Sequence, residues 1–238
     1  MITVLANPQR FLAFSRIAAP ILGALAAALC LIALWLGWSV PDDYQQGSTI
    51  RLFFIHVPAA IVGMQIYAAL AASAFLGLVF RHSLADAAAR AAAPLGAAVT
   101  FLGLVTGSFW ARPMFGAWWV WDARLTSFLI LFLFFVGYMA LQAAIDDETR
   151  ADRASGILAL VGAINLPIVY FSVKWWNSLH QGDTLFAPAG SGLARVYWWP
   201  AVIMLVAFTL GFVAVWLVRI RGEIWRRRAQ VLAVQGAR

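Results

Sequence analysis

The residues best suited to chemistry in this sequence are two histidines and a stretch rich in tryptophan. His56 lies in RLFFIHVPAA, His180 lies in WWNSLHQG, and residues 116–126 read GAWWVWDARLT. Neutral imidazole is a common metal ligand, and indole rings offer a wide apolar surface to a large, flat ligand. The candidate platform in this stretch consists of Trp118, Trp119, Trp121 and Asp122. Whether these groups meet depends on the elements that carry them.

The composition is typical of a membrane protein. Of the 238 residues, 63% are hydrophobic and only 11% are charged, whereas soluble domains carry about 25% charged residues. Apolar runs of about 20 residues predict six spans. The predicted fold is therefore an all-α integral membrane protein, a six-transmembrane-helix bundle forming one domain over residues 1–238. The predicted spans are approximately 17–38, 52–80, 91–110, 125–145, 156–173 and 200–218.

The positive charges predict the orientation of these spans. Twelve of the 17 basic residues lie in the two terminal segments and in the connections after the second and fourth spans. Because such residues favour the cytoplasmic side, we expect both termini to be cytoplasmic. The remaining connections then face outward, including a tryptophan-rich outer loop at residues 110–124. The inner connections, RHSLADAAAR and DDETRADR, are interpreted as solvated turns without chemistry.

The tryptophans are distributed unevenly between the two predicted surfaces. Ten of the twelve fall on the outer side, and only Trp216 and Trp225 fall on the inner side. Interfacial tryptophan belts occur at both surfaces, so membrane anchoring alone does not account for this asymmetry. A block of three indoles in the middle of a loop favours binding of a porphyrin, a quinone or a lipid.

The histidines select among these ligands. His56 and His180 both fall on the outer side, whereas His82 falls in an inner connection. A zinc site usually needs three or four protein ligands, and the only cysteine is Cys30 in the first span. Two imidazoles are enough to complete the coordination of haem iron, because the porphyrin supplies four nitrogens. The outer basic residues could then contact the two propionates: Arg51, Arg112, Arg124, Lys174 and Arg195.

Other functions are less well supported by the residues. The net charge of +7 follows from membrane orientation, so no nucleic-acid partner is expected; the C-terminal RIRGEIWRRRAQ could contact membrane lipid. A membrane cytochrome that carries electrons usually has its histidines within facing spans. A transporter moving haem through the bundle needs polar groups along its path, and the spans offer few, such as Gln65, Gln142 and Asn165. Asn165 and Pro167 predict a kink in the fifth span.

Residues 110–127, WARPMFGAWWVWDARLTS, closely resemble the WWD signature of haem-handling proteins in cytochrome c maturation. Within that superfamily, a six-span chain of this length is similar to the haem exporter protein C (CcmC) family, since the larger relatives have more spans. The resemblance covers the chain from the first span to the sixth. Phe115 stands where the signature leads us to expect a further tryptophan.

The resemblance implies a more specific function than the residues alone. It implies a bacterial inner-membrane protein that binds haem b transiently on the periplasmic side, with His56 and His180 as the axial ligands. It implies that the haem passes to a periplasmic haem chaperone. The implied assembly includes a small single-span subunit and an ATP-binding cassette transporter pair. Such a chain is a haem transfer protein rather than an enzyme, with at most a lyase-like activity.

Overall fold

Helices form the regular structure of this protein. The structure, a computed structural model, describes residues 7–176, 180, 185 and 193–236. Among these described residues, six helical segments are long and apolar enough to cross a membrane, the fifth being Glu148–Trp175, which confirms the predicted all-α, six-span class. The helices are α1 (Pro8–Ser39), α2 (Ile50–Phe80), α3 (Ser83–Phe115), α4 (Ala123–Ala144), α5 (Glu148–Ala163), α6 (Asn165–Trp175) and α7 (Arg195–Gly236).

The helices begin and end at residues suited to those positions. The Asn7 side chain accepts a hydrogen bond from Gln9 N (2.9 Å), and Pro8 occupies the first turn of α1. Asp147 caps α5 in the same way, accepting from Arg150 N at 2.7 Å. Side-chain oxygens at these positions satisfy amide groups that have no partner within the helix. Gly116 ends α3 with φ of 74°, a left-handed conformation that glycine adopts without strain.

Several helices extend beyond the predicted apolar spans. α3 begins at Ser83 rather than near residue 91, and α7 continues to Gly236 rather than ending near residue 218. Hydropathy marks only the part of a helix suited to hydrocarbon, whereas helical hydrogen bonding can continue into a polar region. The tryptophan-rich segment is correspondingly short. Because α3 continues to Phe115 and α4 begins at Ala123, only residues 116–122 of the predicted loop at 110–124 lie outside a helix.

The helix α2 lies at the centre of the bundle and α1 at its edge. Half of the most apolar window of α2 is buried, against 17% of that of α1. α2 packs mainly on α3, and α1 packs mainly on α7. The buried core joins α2 to α4 through residues such as Tyr67, Leu131 and Phe135. We call the end where α3 and α6 finish the tryptophan end, and the end where α3 and α5 begin the arginine end.

The arginine end is held by ion pairs. Arg90 of α3 and Arg227 of α7 both contact Asp152 of α5, at 2.9 and 2.8 Å. Arg226 pairs with Glu148. The interpretation of these inner connections as solvated turns is therefore incomplete, because Arg90 and Asp152 are largely buried and lie in helices. These charges join three helices.

The predicted kink in the fifth span is a short interruption at Ile164, between α5 and α6. The buried Asn165 side chain donates from Nδ2 to the carbonyl oxygen of Ser127 on α4, at 2.8 Å. Such a hydrogen bond offsets the free-energy cost of burying an amide side chain. The contact ties the start of α6 to α4, and α6 then continues to the tryptophan end.

Candidate functional site

A cavity of about 250 Å³ lies at the tryptophan end, between the helices α2, α3, α4 and α6. Its lining is mostly apolar, and both His56 and His180 contribute to it. Helix α2 lines it over some distance, since Met64 lies eight residues, or about 12 Å, along the helix from His56. The apolar lining includes Phe53, Val57, Ala60, Ile61, Met64, Leu104, Leu125, Phe128 and Val169.

His56 is held by the backbone of a neighbouring helix. Its Nδ1 donates to the carbonyl oxygen of Gly103 on α3, with the two atoms 2.9 Å apart. A carbonyl oxygen can only accept, so Nδ1 carries the proton and Nε2 has the lone pair required of a metal ligand. The ring of Trp110 meets the imidazole edge-on, with centroids 5.6 Å apart. His56 therefore has a defined tautomer and a packed ring.

His180 is held by a side chain. Its Nδ1 lies 2.6 Å from Oδ2 of Asp122, whose side chain is only 6% exposed. The other oxygen of Asp122 caps α4 by accepting from Leu125 N at 2.8 Å. A carboxylate that accepts from Nδ1 orients an imidazole and makes its Nε2 a stronger donor to a metal. Phe115 packs on the ring of His180, with centroids 6.2 Å apart.

The tryptophans of the candidate platform occupy different positions. Trp118 lines the cavity and packs edge-on against Phe109, with centroids 5.6 Å apart. Trp119 and Trp121 do not line it; their rings pack against each other at 5.4 Å. Trp121 is 75% exposed, whereas the indole nitrogen of Trp119 is buried. Only one of the three indoles is thus in a position to touch a molecule in the cavity.

The five basic residues also separate. Arg124 and Lys174 line the cavity from α4 and α6. Arg51 instead pairs with Asp42 at 3.1 Å, outside the cavity lining. The other two do not line it either: Arg112 donates to the carbonyl oxygen of Gly116, and Arg195 is exposed at the start of α7.

Two glycines of α3 belong to the site although the residue chemistry did not select them. Gly103 supplies the carbonyl that holds His56, and Gly107 lies against the imidazole itself. The available signal was their spacing, since GLVTG is a small-x-x-x-small pattern that lets two helices in a membrane approach closely. Phe115, noted only for not being a tryptophan, also lines the cavity.

The arrangement suits a planar, largely apolar ligand that carries a metal and negative groups. Two imidazoles offer Nε2 donors, the walls are apolar, and two cations lie on one side. Among residues 7–176, 180, 185 and 193–236, no three His, Cys, Asp or Glu side chains form a group that could hold a bare metal ion. The donor set therefore fits haem, which supplies four of the six iron ligands itself.

Comparisons with known proteins point the same way. The sequence matches the family described as Heme exporter protein C over residues 1–235. It is 52% identical to Heme exporter protein C of Bradyrhizobium diazoefficiens over 233 residues, covering 98% of this chain and 89% of the relative. It is 42% identical to that of Paracoccus denitrificans, covering 95% of each chain. Identity to that of Escherichia coli K12 is 53% over 164 residues, or 68% of this chain and 66% of the relative.

Proposed function

This chain belongs to the heme exporter protein C family, and from that premise we propose that it holds haem between His56 and His180 and passes it to a periplasmic haem chaperone. Membership of this family indicates a role in haem handling during cytochrome c maturation. The observation that carries the proposal is that two histidines, each with Nδ1 engaged in a hydrogen bond, line one apolar cavity.

The two imidazoles are the proposed axial ligands. In each ring the proton on Nδ1 directs the lone pair to Nε2, which is the usual requirement for ligation. The apolar lining excludes water from the porphyrin faces, and Trp118 offers an indole edge or face to the ring. Trp119 and Trp121 support this segment by packing on each other.

The cations of the cavity are the proposed propionate contacts. Arg124 and Lys174 line it on the side formed by α4 and α6. Charge-assisted hydrogen bonds to a carboxylate are roughly twice as strong as neutral ones. Of the five basic residues that the sequence offered, we retain these two, and the haem orientation that follows places its propionates toward α4 and α6.

The tryptophan end is proposed to face the periplasm of a bacterial inner membrane. The excess of basic residues in the opposite connections supports this orientation, twelve against five. A site at a membrane surface is accessible to a soluble chaperone. Bis-histidine ligation favours transfer, because displacement of one imidazole opens a coordination position to an incoming ligand.

The remaining partners are proposed from the family resemblance. They are a small single-span subunit and an ATP-binding cassette transporter pair. The sequence contains no G-x-x-x-x-G-K-[ST] phosphate-binding loop, so an ATP-driven step requires another subunit. Transfer of haem from this site needs no covalent catalysis by the chain, and we therefore propose a transfer protein rather than an enzyme.

Absorption spectra of the detergent-purified protein with added haem test the ligands. We expect a six-coordinate, low-spin spectrum in the parent protein that His56→Ala and His180→Ala each convert or abolish. His82→Ala is the matched control, because His82 lies at the arginine end, and its spectrum should equal that of the parent. A low-spin spectrum that survives both substitutions would place the ligands elsewhere.

Transfer is tested by mixing the haem-loaded protein with a purified periplasmic haem chaperone and separating the two. Haem recovered on the chaperone supports the proposal. Haem that stays bound while undergoing reversible reduction would favour an electron-carrying cytochrome. Haem moved across the bilayer of sealed vesicles by this chain alone would favour a transporter.

A further inference from the structure

Three residues on one face of α3 contact the His56 side chain. Gly103, Gly107 and Trp110 follow the i, i+4, i+7 spacing and therefore share one face of the helix. Gly103 accepts the Nδ1 proton, and Trp110 meets the imidazole edge-on. The indole nitrogen of Trp110 in turn donates to Oε1 of Gln46, at 3.1 Å, which fixes the orientation of that ring. Gly107 lies between the two contacts.

The absence of a side chain at Gly107 is what admits the imidazole. A Cβ atom at this position would lie 2.8 Å from Cε1 of His56 and 3.1 Å from its Nδ1. Carbon atoms in van der Waals contact are about 3.5–4.0 Å apart. The ring cannot move away cheaply, since Nδ1 is held by the Gly103 carbonyl and Trp110 covers another edge.

We propose that Gly107 is a positioning residue for haem binding. Gly107 acts through His56, because its lack of a side chain fixes the plane of the imidazole. The inference rests on the proposed function, because the plane matters only if Nε2 of His56 is an iron ligand. Gly103, Gly107 and Trp110 together then determine the orientation in which the His56 imidazole meets the iron. A methyl group at residue 107 tilts or displaces the imidazole without removing it.

A double-mutant cycle tests the contact without haem. Gly107→Ala is expected to lower the unfolding temperature of the parent, and to lower it much less in the His56→Ala background, where the ring it strikes is gone. Gly63→Ala is the matched control. Its Cβ would lie 2.7 Å from Cγ2 of Thr100, an equal clash between the same two helices that does not involve His56. Gly63→Ala should lower the unfolding temperature by the same amount in both backgrounds.

Haem spectra test the consequence. Gly107→Ala is expected to weaken haem binding by about tenfold or more and to shift the low-spin spectrum toward a high-spin or mixed form, and added imidazole should restore the low-spin form. Gly63→Ala should keep the parent spectrum. Equal costs of Gly107→Ala in the two backgrounds, or an unchanged low-spin spectrum, would overturn the inference. A parent without low-spin haem would instead overturn the proposed function, while the cycle still reports on the contact.

Discussion

The two walls of the cavity hold their histidines by different means. The wall formed by α2 and α3 carries no charged residue in the lining and holds His56 through a backbone carbonyl. The wall formed by α4 and α6 contains Arg124 and Lys174, and His180 on this side is held through a carboxylate. A backbone contact cannot be removed by exchanging a side chain, whereas a carboxylate contact can. Replacing the polar side chains near each histidine should therefore weaken haem binding less in the first wall than in the second.

Among the polar side chains of the two walls other than the histidines, the largest effect is expected from Asp122→Ala, which removes the partner of His180. Loss of such a contact to a metal-ligating histidine typically weakens metal binding by about 10- to 100-fold, and we expect haem affinity to fall in that range. Titration of the purified protein with haem measures it. Asp122→Asn should weaken haem binding about as much while keeping the helix cap, because its single amide oxygen accepts from Leu125 N and its amide nitrogen, a donor, then faces Nδ1 of His180.

Asp147→Ala separates the two roles of Asp122. Asp147 caps α5 as Asp122 caps α4, but it has no histidine partner. Both alanine variants should lose about 1 kcal/mol of stability through the lost helix cap. Only Asp122→Ala should also weaken haem binding. Equal haem affinities in the two variants would mean that His180 does not need its carboxylate.

A smaller effect is expected from the cations of the second wall. Arg124→Gln and Lys174→Gln should each weaken haem binding by about tenfold, since a hydrogen bond to a charged group contributes about 1.5–3 kcal/mol and exposure reduces it. The same titration measures these variants, with an esterified haem that lacks free propionates as a second ligand. The esterified haem should bind all three proteins alike.

Arg195→Gln is the control for these cations. Arg195 is exposed and does not line the cavity, so its removal should leave haem affinity unchanged. A loss as large as that in Arg124→Gln would show that the propionates lie on another side of the site.

A still smaller effect is expected in the first wall from Thr106→Val. The Thr106 hydroxyl lies 3.4 Å from Nδ1 of His56, too far for a strong hydrogen bond, and it donates to the carbonyl oxygen of Leu102 at 2.7 Å. Haem affinity should change by less than about threefold. A change as large as that of Asp122→Ala would contradict the conclusion that the backbone holds His56.

The smallest effect on haem is expected outside both walls, from Asp152→Asn at the arginine end. Asp152 contacts Arg90 and Arg227, so the variant should lose about 3 kcal/mol of stability. Thermal unfolding measures that loss. The haem spectrum should remain that of the parent, and a changed spectrum would couple the arginine end to the cavity.

The sequence by itself determined the fold class and the candidate ligands. Apolar runs long enough to cross a membrane predict six spans because backbone groups in hydrocarbon must be satisfied within a helix, and the part of the chain that the structure describes has six such helical segments. The orientation of these spans remains a prediction. The WWD signature pointed to the family, and the comparisons confirm that membership. The predicted topology places His56 and His180 on the same side, and both line the cavity.

Only the tertiary structure decided which residues share the cavity. Arg51 and Arg124 are equivalent by charge and predicted side, yet Arg51 pairs with Asp42 and Arg124 lines the cavity. Trp118 and Trp121 are three residues apart, and only Trp118 lines the cavity. Nothing in the sequence assigned Asp122 to His180 or Gly107 to His56. Such contacts join residues 58 and 51 positions apart in the chain, and they depend on how helices pack, which hydropathy and charge do not encode.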